Sequence, residues 1–233
     1  SAIFLALLGL PAVMGLPRSA PMPASGGEPG PYRRVLATIR GWRRDRNVPK
    51  LLLAYYLVND GVVTALFFTA LTFRKTYGME VQEILALTLV LQLVAIPATI
   101  FFGWLGGRWS QRGALNVALV LRIGGLVLTA SAECRSGADA VTLALGLVIG
   151  STQSLLRSLF AGLVPVDRAS EYFGFHTLMG RASAALGPLF FGVVSAATGS
   201  QRAAMASLAV FFIAGGMVLA FVRLPEQSRT RAA

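Results

Sequence analysis

The feature that most limits the fold of this chain is a series of apolar blocks, each close to the length of a membrane crossing. Six such blocks lie between residues 49 and 223. About 20 apolar residues span the ~30 Å hydrocarbon core of a bilayer, and backbone polar groups in lipid must be satisfied within the helix itself. We therefore predict an all-α membrane protein with a six-transmembrane-helix bundle. The predicted helices cover residues 49–73, 81–105, 113–132, 140–163, 173–197 and 203–222.

The composition also favours a lipid environment over a soluble fold. Only 13% of the residues are charged, against about 25% in a typical soluble domain. The net charge of +11 would suggest nucleic acid as the partner of a soluble protein. Here, however, the positive residues stand between the apolar blocks, as in membrane proteins whose cytoplasmic loops are rich in Lys and Arg. The sequence thus predicts the lipid bilayer as a partner and no nucleic acid.

The residues that usually carry metal or nucleophilic chemistry are scarce. The chain has one cysteine, Cys134, and one histidine, His176. This excludes an intramolecular disulfide and disfavours a built-in metal site, and no phosphate-binding G-x-x-x-x-G-K-[ST] loop is present. We predict no cofactor, no metal and no enzymatic activity. For His176 we favour a solvated position at the membrane interface, with a pH-sensing role as the alternative.

Three segments lie outside the predicted bundle. Residues 1–16 are apolar but short, and we interpret them as the end of a preceding transmembrane helix; a short buried segment or a signal-peptide remnant is the alternative. Residues 17–48 are a predicted cytoplasmic linker that begins rich in Pro and Gly and ends with a basic segment. That basic segment is either an amphipathic helix on an anionic membrane surface or a partly disordered loop. Residues 224–233 are a predicted cytoplasmic tail.

The distribution of Lys and Arg predicts the orientation of the bundle. Of the 21 basic residues, 14 fall on the side that holds the linker, the loop at Arg108 and the C-terminus, and only 4 fall on the other side. Cytoplasmic loops carry the excess of Lys and Arg in membrane proteins. We therefore predict a multi-pass protein of the cell (inner) membrane with its C-terminus in the cytoplasm.

Asp60 is the only acidic residue within a predicted apolar span, and it lies near the bilayer midplane. An intramembrane acid marks an ion or substrate path by default, although pairing with an arginine to fix helix packing is the alternative. Tyr56, Asp60 and Thr64 are spaced i, i+4 and i+8 and share one helix face, with Asn59 beside them. The predicted substrate and proton pathway comprises Asp60, Asn59, Tyr56, Thr64, Gln92, Gln153, Arg157 and Arg181.

Three arginines lie inside the predicted helices. Arg157 is the favoured cationic partner for Asp60 or for an anionic group on a solute, and Arg181 is the next choice. Arg122 is expected to snorkel toward the interface or to bond a neighbouring carbonyl group.

Two glycine patterns predict details of helix packing. Gly146 and Gly150 form a G-x-x-x-G pattern, which is typical of closely packed membrane helices. The Gly187-Pro188 dipeptide predicts a kink in the fifth helix.

Several stretches of the chain resemble a known family. Residues 53–62 (LAYYLVNDGV) resemble the seventh helix of major facilitator superfamily transporters of the vacuolar amino-acid effluxer (autophagy-related) type and of their bacterial relatives. Residues 150–160 (GSTQSLLRSLF) are similar to the tenth helix of that family. Residues 171–174, together with 180–183 and 186–188, resemble the tenth loop and the eleventh helix.

Residues 103–112 (GWLGGRWSQR) resemble the cytoplasmic loop motif of the superfamily, G-x-L-x-D-R-x-G-R-[KR]. Gly107 replaces the Asp of the motif, Ser110 its second Gly, and Gln111 the first of its two closing basic residues. The two arginines that remain can still meet helix ends. The cytoplasmic gating loop implied by the resemblance comprises Gly103, Arg108 and Arg112.

The resemblance has consequences for fold and function. The superfamily fold pairs two six-helix bundles with a substrate site between them near the midplane. The resemblance implies that this chain is the C-terminal half of a secondary active transporter and that an N-terminal six-helix half is its partner. The implied function is movement of a small polar solute, for example an amino acid, by alternating access, with Asp60 as candidate carrier of a coupling proton. Alternatives are a non-transporting binding or scaffold protein and one half of a split transporter.

Overall fold

The computed structural model describes residues 40, 42, 46–131, 135–165 and 168–222. Within these residues it contains eight helices and no strand. The predicted segment 1–16, most of the predicted linker and the predicted tail 224–233 lie outside the described residues, as does Cys134. The helices are α1 Asn47–Tyr77, α2 Val81–Arg108, α3 Gln111–Ser131, α4 Arg135–Leu163, α5 Ala169–Ala182, α6 Leu186–Thr198, α7 Gln201–Ser207 and α8 Ala209–Ala220.

The first four predicted helices each correspond to one helix, α1 to α4. The fifth predicted helix is divided into α5 and α6, and the sixth into α7 and α8. Among the described residues, five stretches are long and apolar enough to cross a membrane, and the predicted all-α membrane bundle is confirmed. These stretches are Asn47–Tyr77, Val81–Arg108, Gln111–Leu128, Ala169–Thr198 and Gln201–Ala220.

Local sequence signals explain where the helices begin and end. α1 is closed by Gly78, whose φ of 64° is accessible to glycine at little cost. α2 begins with a capping box in which the side chains of Glu80 and Glu83 satisfy each other's backbone N–H groups. α6 ends at Gly199, which has a φ of 65°, and the Ser200 side chain then accepts a hydrogen bond from the N–H of Ala203. The turns at residues 78–80 and 199–200 are therefore short.

The first span, α1, is the central helix of the described bundle. It contacts α2, α4, α5, α6, α7 and α8. Buried apolar residues cover several of its faces, including Leu51, Ala54, Val58 and Val62. A helix that is buried on most sides has little lipid contact, so polar groups on α1 must find partners inside the protein.

The predicted close packing at Gly146 and Gly150 is confirmed, and both glycines of α4 lie against α2. A Cβ atom added at Gly146 would lie 3.1 Å from the carbonyl oxygen of Leu91, and one added at Gly150 would collide with the hydroxyl of Thr99. Small residues allow such close approach of two membrane helices, where no hydrophobic driving force acts between them.

The fifth span is interrupted before the predicted kink. α5 ends at Ala182 and α6 begins at Leu186, so the interruption covers residues 183–185. Pro188 therefore lies in the first turn of α6, where its missing N–H leaves no intrahelical bond unmade. The proline starts a new half-helix and does not bend a continuous one.

Candidate functional site

Asn59 lies at the centre of a hydrogen-bond network that joins three helices. Its Nδ2 donates to the Ser183 hydroxyl at 2.6 Å and to the carbonyl oxygen of Gly180 at 3.3 Å. Its Oδ1 accepts a bond of 2.9 Å from Nε2 of Gln153 on α4. Asn59 is 5% exposed. The network thus ties the centre of α1 to α4 and to the C-terminal end of α5.

Asp60 is fully buried and contacts the other side of the interruption. Its Oδ2 accepts a hydrogen bond of 2.9 Å from the N–H of Gly187 in the first turn of α6. Among the described residues, its Oδ1 has no hydrogen-bond partner, and the buried hydroxyl of Thr64 has none either. The free N–H groups and the dipole of a helix N-terminus favour a carboxylate at this place.

The absence of a side chain at Gly187 makes this approach possible. A Cβ atom there would collide with the Thr64 hydroxyl and would lie 2.9 Å from Oδ1 of Asp60. On the other side of the interruption, Ser183 closes α5, since its N–H bonds the carbonyl oxygen of Met179 and its hydroxyl bonds that of Gly180. The chain around the interruption is therefore held by short polar contacts to α1.

The structure brings together some of the predicted pathway residues and separates others. Asn59 bonds Gln153 directly, whereas Asp60 and Thr64 face α6 and not an open cavity. The predicted pair of Asp60 and Arg157 is not formed in the described part of the chain, because Asp60 bonds a backbone N–H and Arg157 is exposed.

The remaining pathway residues lie toward the surface of the bundle. Tyr56 is partly buried and Arg181 is exposed. Gln92 is also exposed and borders an open recess of about 520 Å³ along α2. Besides Gln92, the recess is lined by Ala95, Ile96, Thr99 and Ile100.

The sequence interpretation missed three contributors to this site: Gly180, Ser183 and Gly187. Gly180 contributes its carbonyl oxygen and Gly187 its N–H. Nearly every residue carries these backbone groups, so the residue type does not reveal such a role. The resemblance at 180–183 and 186–188 was the available signal.

The expected solvated position of His176 and the expected snorkelling of Arg122 are wrong, and the other expectation for Arg122, a bond to a neighbouring carbonyl group, stays a prediction. His176 is not solvated: it is 3% exposed and stacks on Tyr55 with ring centroids 3.9 Å apart. Arg122 does not snorkel: it is 1% exposed, and its guanidinium lies 5.1 Å from the ring centroid of Phe212. Its Nε and Nη1 find no hydrogen-bond partner in the part of the chain that the structure describes. Both residues lie on helix faces that turn into the bundle, which a single helix pattern could not establish.

The predicted gating loop is held by contacts within this bundle. Nη2 of Arg112 donates to the carbonyl oxygens of Leu219 and Ala220, at 2.6 and 2.9 Å, and so meets the C-terminal end of α8 as the sequence suggested. Arg108 is exposed and lies 5.6 Å from the ring centroid of Trp104. Gly103 has open space where a side chain would project. A gating role for the three residues remains a prediction.

Replacing Arg112 with alanine is expected to lower the free energy of unfolding by about 1 kcal/mol, because the last carbonyls of α8 lose a charged donor. Arg108→Ala is the matched control from the same loop, and its exposed position predicts a change below about 0.5 kcal/mol. Thermal unfolding in detergent, followed by circular dichroism, measures both. An equal loss in the two variants would contradict a specific contact between Arg112 and α8.

Among the described residues, no group of three or more His, Cys, Asp or Glu side chains is placed to hold a metal ion. The polar centre of the molecule is instead an amide and a carboxylate that contact an interrupted membrane helix. Interrupted helices with free backbone groups occur at the solute and ion sites of many secondary transporters.

Comparison with known proteins agrees with this architecture. The family model described as "Vacuole effluxer Atg22 like" matches residues 3–232. An uncharacterized MFS-type transporter of Bacillus subtilis, YxiO, is 31% identical over 199 residues, which cover 85% of this chain and 46% of that protein. Autophagy-related protein 22 of Cryptococcus neoformans is 24% identical over 262 residues, covering 100% of this chain and 46% of the relative. This chain thus spans about half the length of these curated relatives. Because the family model covers nearly all of its residues, the chain belongs to the Atg22-like vacuole effluxer family.

Proposed function

We propose that this chain is the C-terminal half of a secondary active transporter of the major facilitator type. The observation that carries the proposal is the buried pair Asn59 and Asp60, which lies in the central span and contacts both sides of an interrupted helix. The family match and the transporter relative from Bacillus subtilis support it. Since the chain spans about half the length of its relatives, an N-terminal six-helix half is the proposed partner.

The proposed solute pathway follows polar side chains that reach the surface of the bundle. Exposed polar side chains within membrane spans are costly against lipid, so they favour a face that is turned toward water or toward a partner bundle. Asn59, Asp60 and Thr64 form the buried part of the pathway, which connects to this surface through the bond between Asn59 and Gln153. The surface part comprises Tyr56, Gln92, Gln153, Arg157 and Arg181.

The proposed solute is small and polar, with an amino acid as the leading candidate. Arg157 is exposed, and a guanidinium binds a carboxylate through two parallel hydrogen bonds, so we assign it to the carboxylate of the solute. Asp60 is the proposed carrier of a coupling proton, because Oδ1 has no donor among the described residues and protonation there would remove a buried charge. The protein is proposed to work by alternating access in the cell (inner) membrane with its C-terminus in the cytoplasm.

Transport by the chain together with its N-terminal half, reconstituted in proteoliposomes, tests this function. A panel of amino acids is offered with and without an imposed pH gradient. We expect the gradient to drive movement of at least one solute, and we expect Asp60→Asn to remove the dependence on the gradient. Thr69→Ala is the control, because the Thr69 hydroxyl bonds the Ala65 carbonyl of its own helix.

Two results would count against the proposal. Normal proton coupling in Asp60→Asn would exclude Asp60 as the proton carrier. A folded two-half protein that moves no solute of the panel would instead favour a binding or scaffold function on a transporter-like fold.

A further inference from the structure

Two consecutive residues of α1 hold opposite sides of the interruption in the fifth span. Asn59 bonds the hydroxyl of Ser183 and the carbonyl oxygen of Gly180, both at the C-terminal end of α5. Asp60 accepts a bond from the N–H of Gly187 at the N-terminal end of α6. A single turn of α1 therefore contacts both half-helices through separate side chains.

The chemistry of each side chain matches the helix end that it meets. The end of α5 presents carbonyl oxygens with partial negative charge, and the amide of Asn59 supplies N–H donors to it. The start of α6 presents N–H groups with partial positive charge, and the carboxylate of Asp60 supplies the negative charge. Asn59 meets the carbonyl end of α5, and Asp60 meets the N–H end of α6. Exchanging the two residues would place a carboxylate against carbonyl oxygens, so they are not interchangeable.

The bond from the Gly187 N–H to Asp60 is a directional polar contact between α6 and α1. The other contacts of α6 with α1 are largely apolar and include the stack of Phe68 on Phe191, with ring centroids 4.0 Å apart. The opposite side of α6 is open, since Leu189 and Val193 are 68% and 67% exposed. α6 also packs on α7, and its Phe190 contacts Phe211 of α8 with ring centroids 5.5 Å apart, so loss of the bond to Gly187 frees the start of α6 while these apolar contacts remain.

The surroundings allow the charge on Asp60 to control this contact. α6 and α8 carry no ionisable side chain. Within the described residues, no hydrogen bond joins Asp60 to a titratable or charged side chain of the helices that pack on α1 and α6. Such side chains include Tyr55 and Tyr56 on α1, Arg157 on α4, Glu171, His176 and Arg181 on α5, and Arg202 on α7. A carboxylate forms a stronger bond to a backbone N–H than a neutral carboxyl does, so the charge state of Asp60 sets the strength of the contact.

We propose that Asn59 and Asp60 are positioning residues that form a two-point clamp on the broken span, and that loss of the charge on Asp60 releases α6 while Asn59 keeps α5 in place. The α6 half is then the part of this span that moves during the transport cycle. This inference rests on the proposed transport function, which it deepens by assigning the moving element.

Distances between spin labels in the two-half protein, held in lipid nanodiscs without solute, test the clamp. In a Cys134→Ser background, one label is placed at Val120 on α3, which packs on α2, α4, α7 and α8. The second is placed at Val193 on α6 or at Leu178 on α5. All three positions are exposed, at 66%, 67% and 58%. The two label pairs report separately on the two half-helices.

We expect a crossed pattern, in which each variant displaces only the half-helix that the replaced side chain contacts. Asp60→Ala should shift or broaden the Val120–Val193 distance, on the order of a few Å, and leave the Val120–Leu178 distance unchanged. Asn59→Ala should shift or broaden the Val120–Leu178 distance and leave the Val120–Val193 distance unchanged. Lowering the pH should move the α6 pair in the parent protein, whereas in Asp60→Asn that pair should stay displaced at every pH.

Other patterns would overturn the clamp. If both pairs move together in each variant, or if neither moves in a folded Asp60→Ala protein, the two residues do not hold the half-helices separately. Should Asp60→Ala fail to fold, the near-isosteric Asp60→Asn provides the same comparison. The distances are measured without solute, so they test the clamp independently of transport. A crossed pattern in a protein that moves no solute would support the clamp and contradict the transport proposal. Transport without a crossed pattern would support the transport proposal and contradict the clamp.

Discussion

Replacing Gly187 with alanine is expected to lower the free energy of unfolding by about 1–3 kcal/mol, through overpacking between α6 and α1. The added methyl group would collide with the Thr64 hydroxyl and would lie 2.9 Å from Oδ1 of Asp60. Both neighbours are fully buried side chains on a central helix, so neither can easily move away. The bond from the Gly187 N–H to Asp60 should lengthen as α6 shifts. Thermal unfolding in detergent, followed by circular dichroism, measures the loss.

Gly192→Ala is the matched control on the same half-helix. A Cβ atom at Gly192 would meet nothing within 4 Å, and alanine favours a helix over glycine by up to about 1 kcal/mol. The midpoint temperature of thermal unfolding of Gly192→Ala should therefore stay the same or rise slightly. If Gly187→Ala and Gly192→Ala had equal stability, the close approach of α6 to Asp60 and Thr64 would be refuted.

Replacing Arg122 with methionine is expected to stabilise the folded chain by about 1–4 kcal/mol. The guanidinium is 1% exposed, and no ion pair is found for it among the described residues. Its observed contact is with the face of Phe212, at 5.1 Å from the ring centroid, which compensates only partly for the lost hydration. Methionine keeps a long flexible side chain that can fill the same space without a charge.

Arg122→Lys controls for the length of the side chain while keeping a positive charge, and we expect no gain in stability from it. Chemical unfolding of both variants beside the parent protein makes the comparison. A less stable Arg122→Met would reveal that the guanidinium holds an acceptor in the folded protein. A stabilised variant that has lost transport would indicate that the buried charge is retained for function.

The membrane class, the positions of five spans and the presence of a buried carboxylate at residue 60 could be predicted from the sequence. Apolar blocks of sufficient length predict helices because lipid leaves the backbone no other partner. Asp60 stands out for a similar reason, since a lone carboxylate in an apolar span is costly. The G-x-x-x-G pattern at Gly146 and Gly150 likewise predicted close packing, which the contact with α2 confirms.

The partners of the polar residues could not be predicted. The attraction of opposite charges favours Arg157 as the partner of Asp60, but the observed partner is the backbone N–H of Gly187, a group that every residue except proline carries. His176 was placed at the solvated interface from its position along a span, whereas the folded chain stacks it on Tyr55. In each case the decisive neighbour lies on another helix, more than a hundred residues away in the chain.

The sequence by itself determined that this chain crosses a membrane as a bundle of helices and that one carboxylate lies deep within it. These properties follow from local hydropathy and helix length, which each segment carries independently of the others. Only the tertiary structure decided that the fifth span is interrupted at residues 183–185 and that Asn59 and Asp60 contact its two ends. The physical reason is that free backbone groups at an interruption can be satisfied by any nearby donor or acceptor, and which one is nearby depends on how the helices pack.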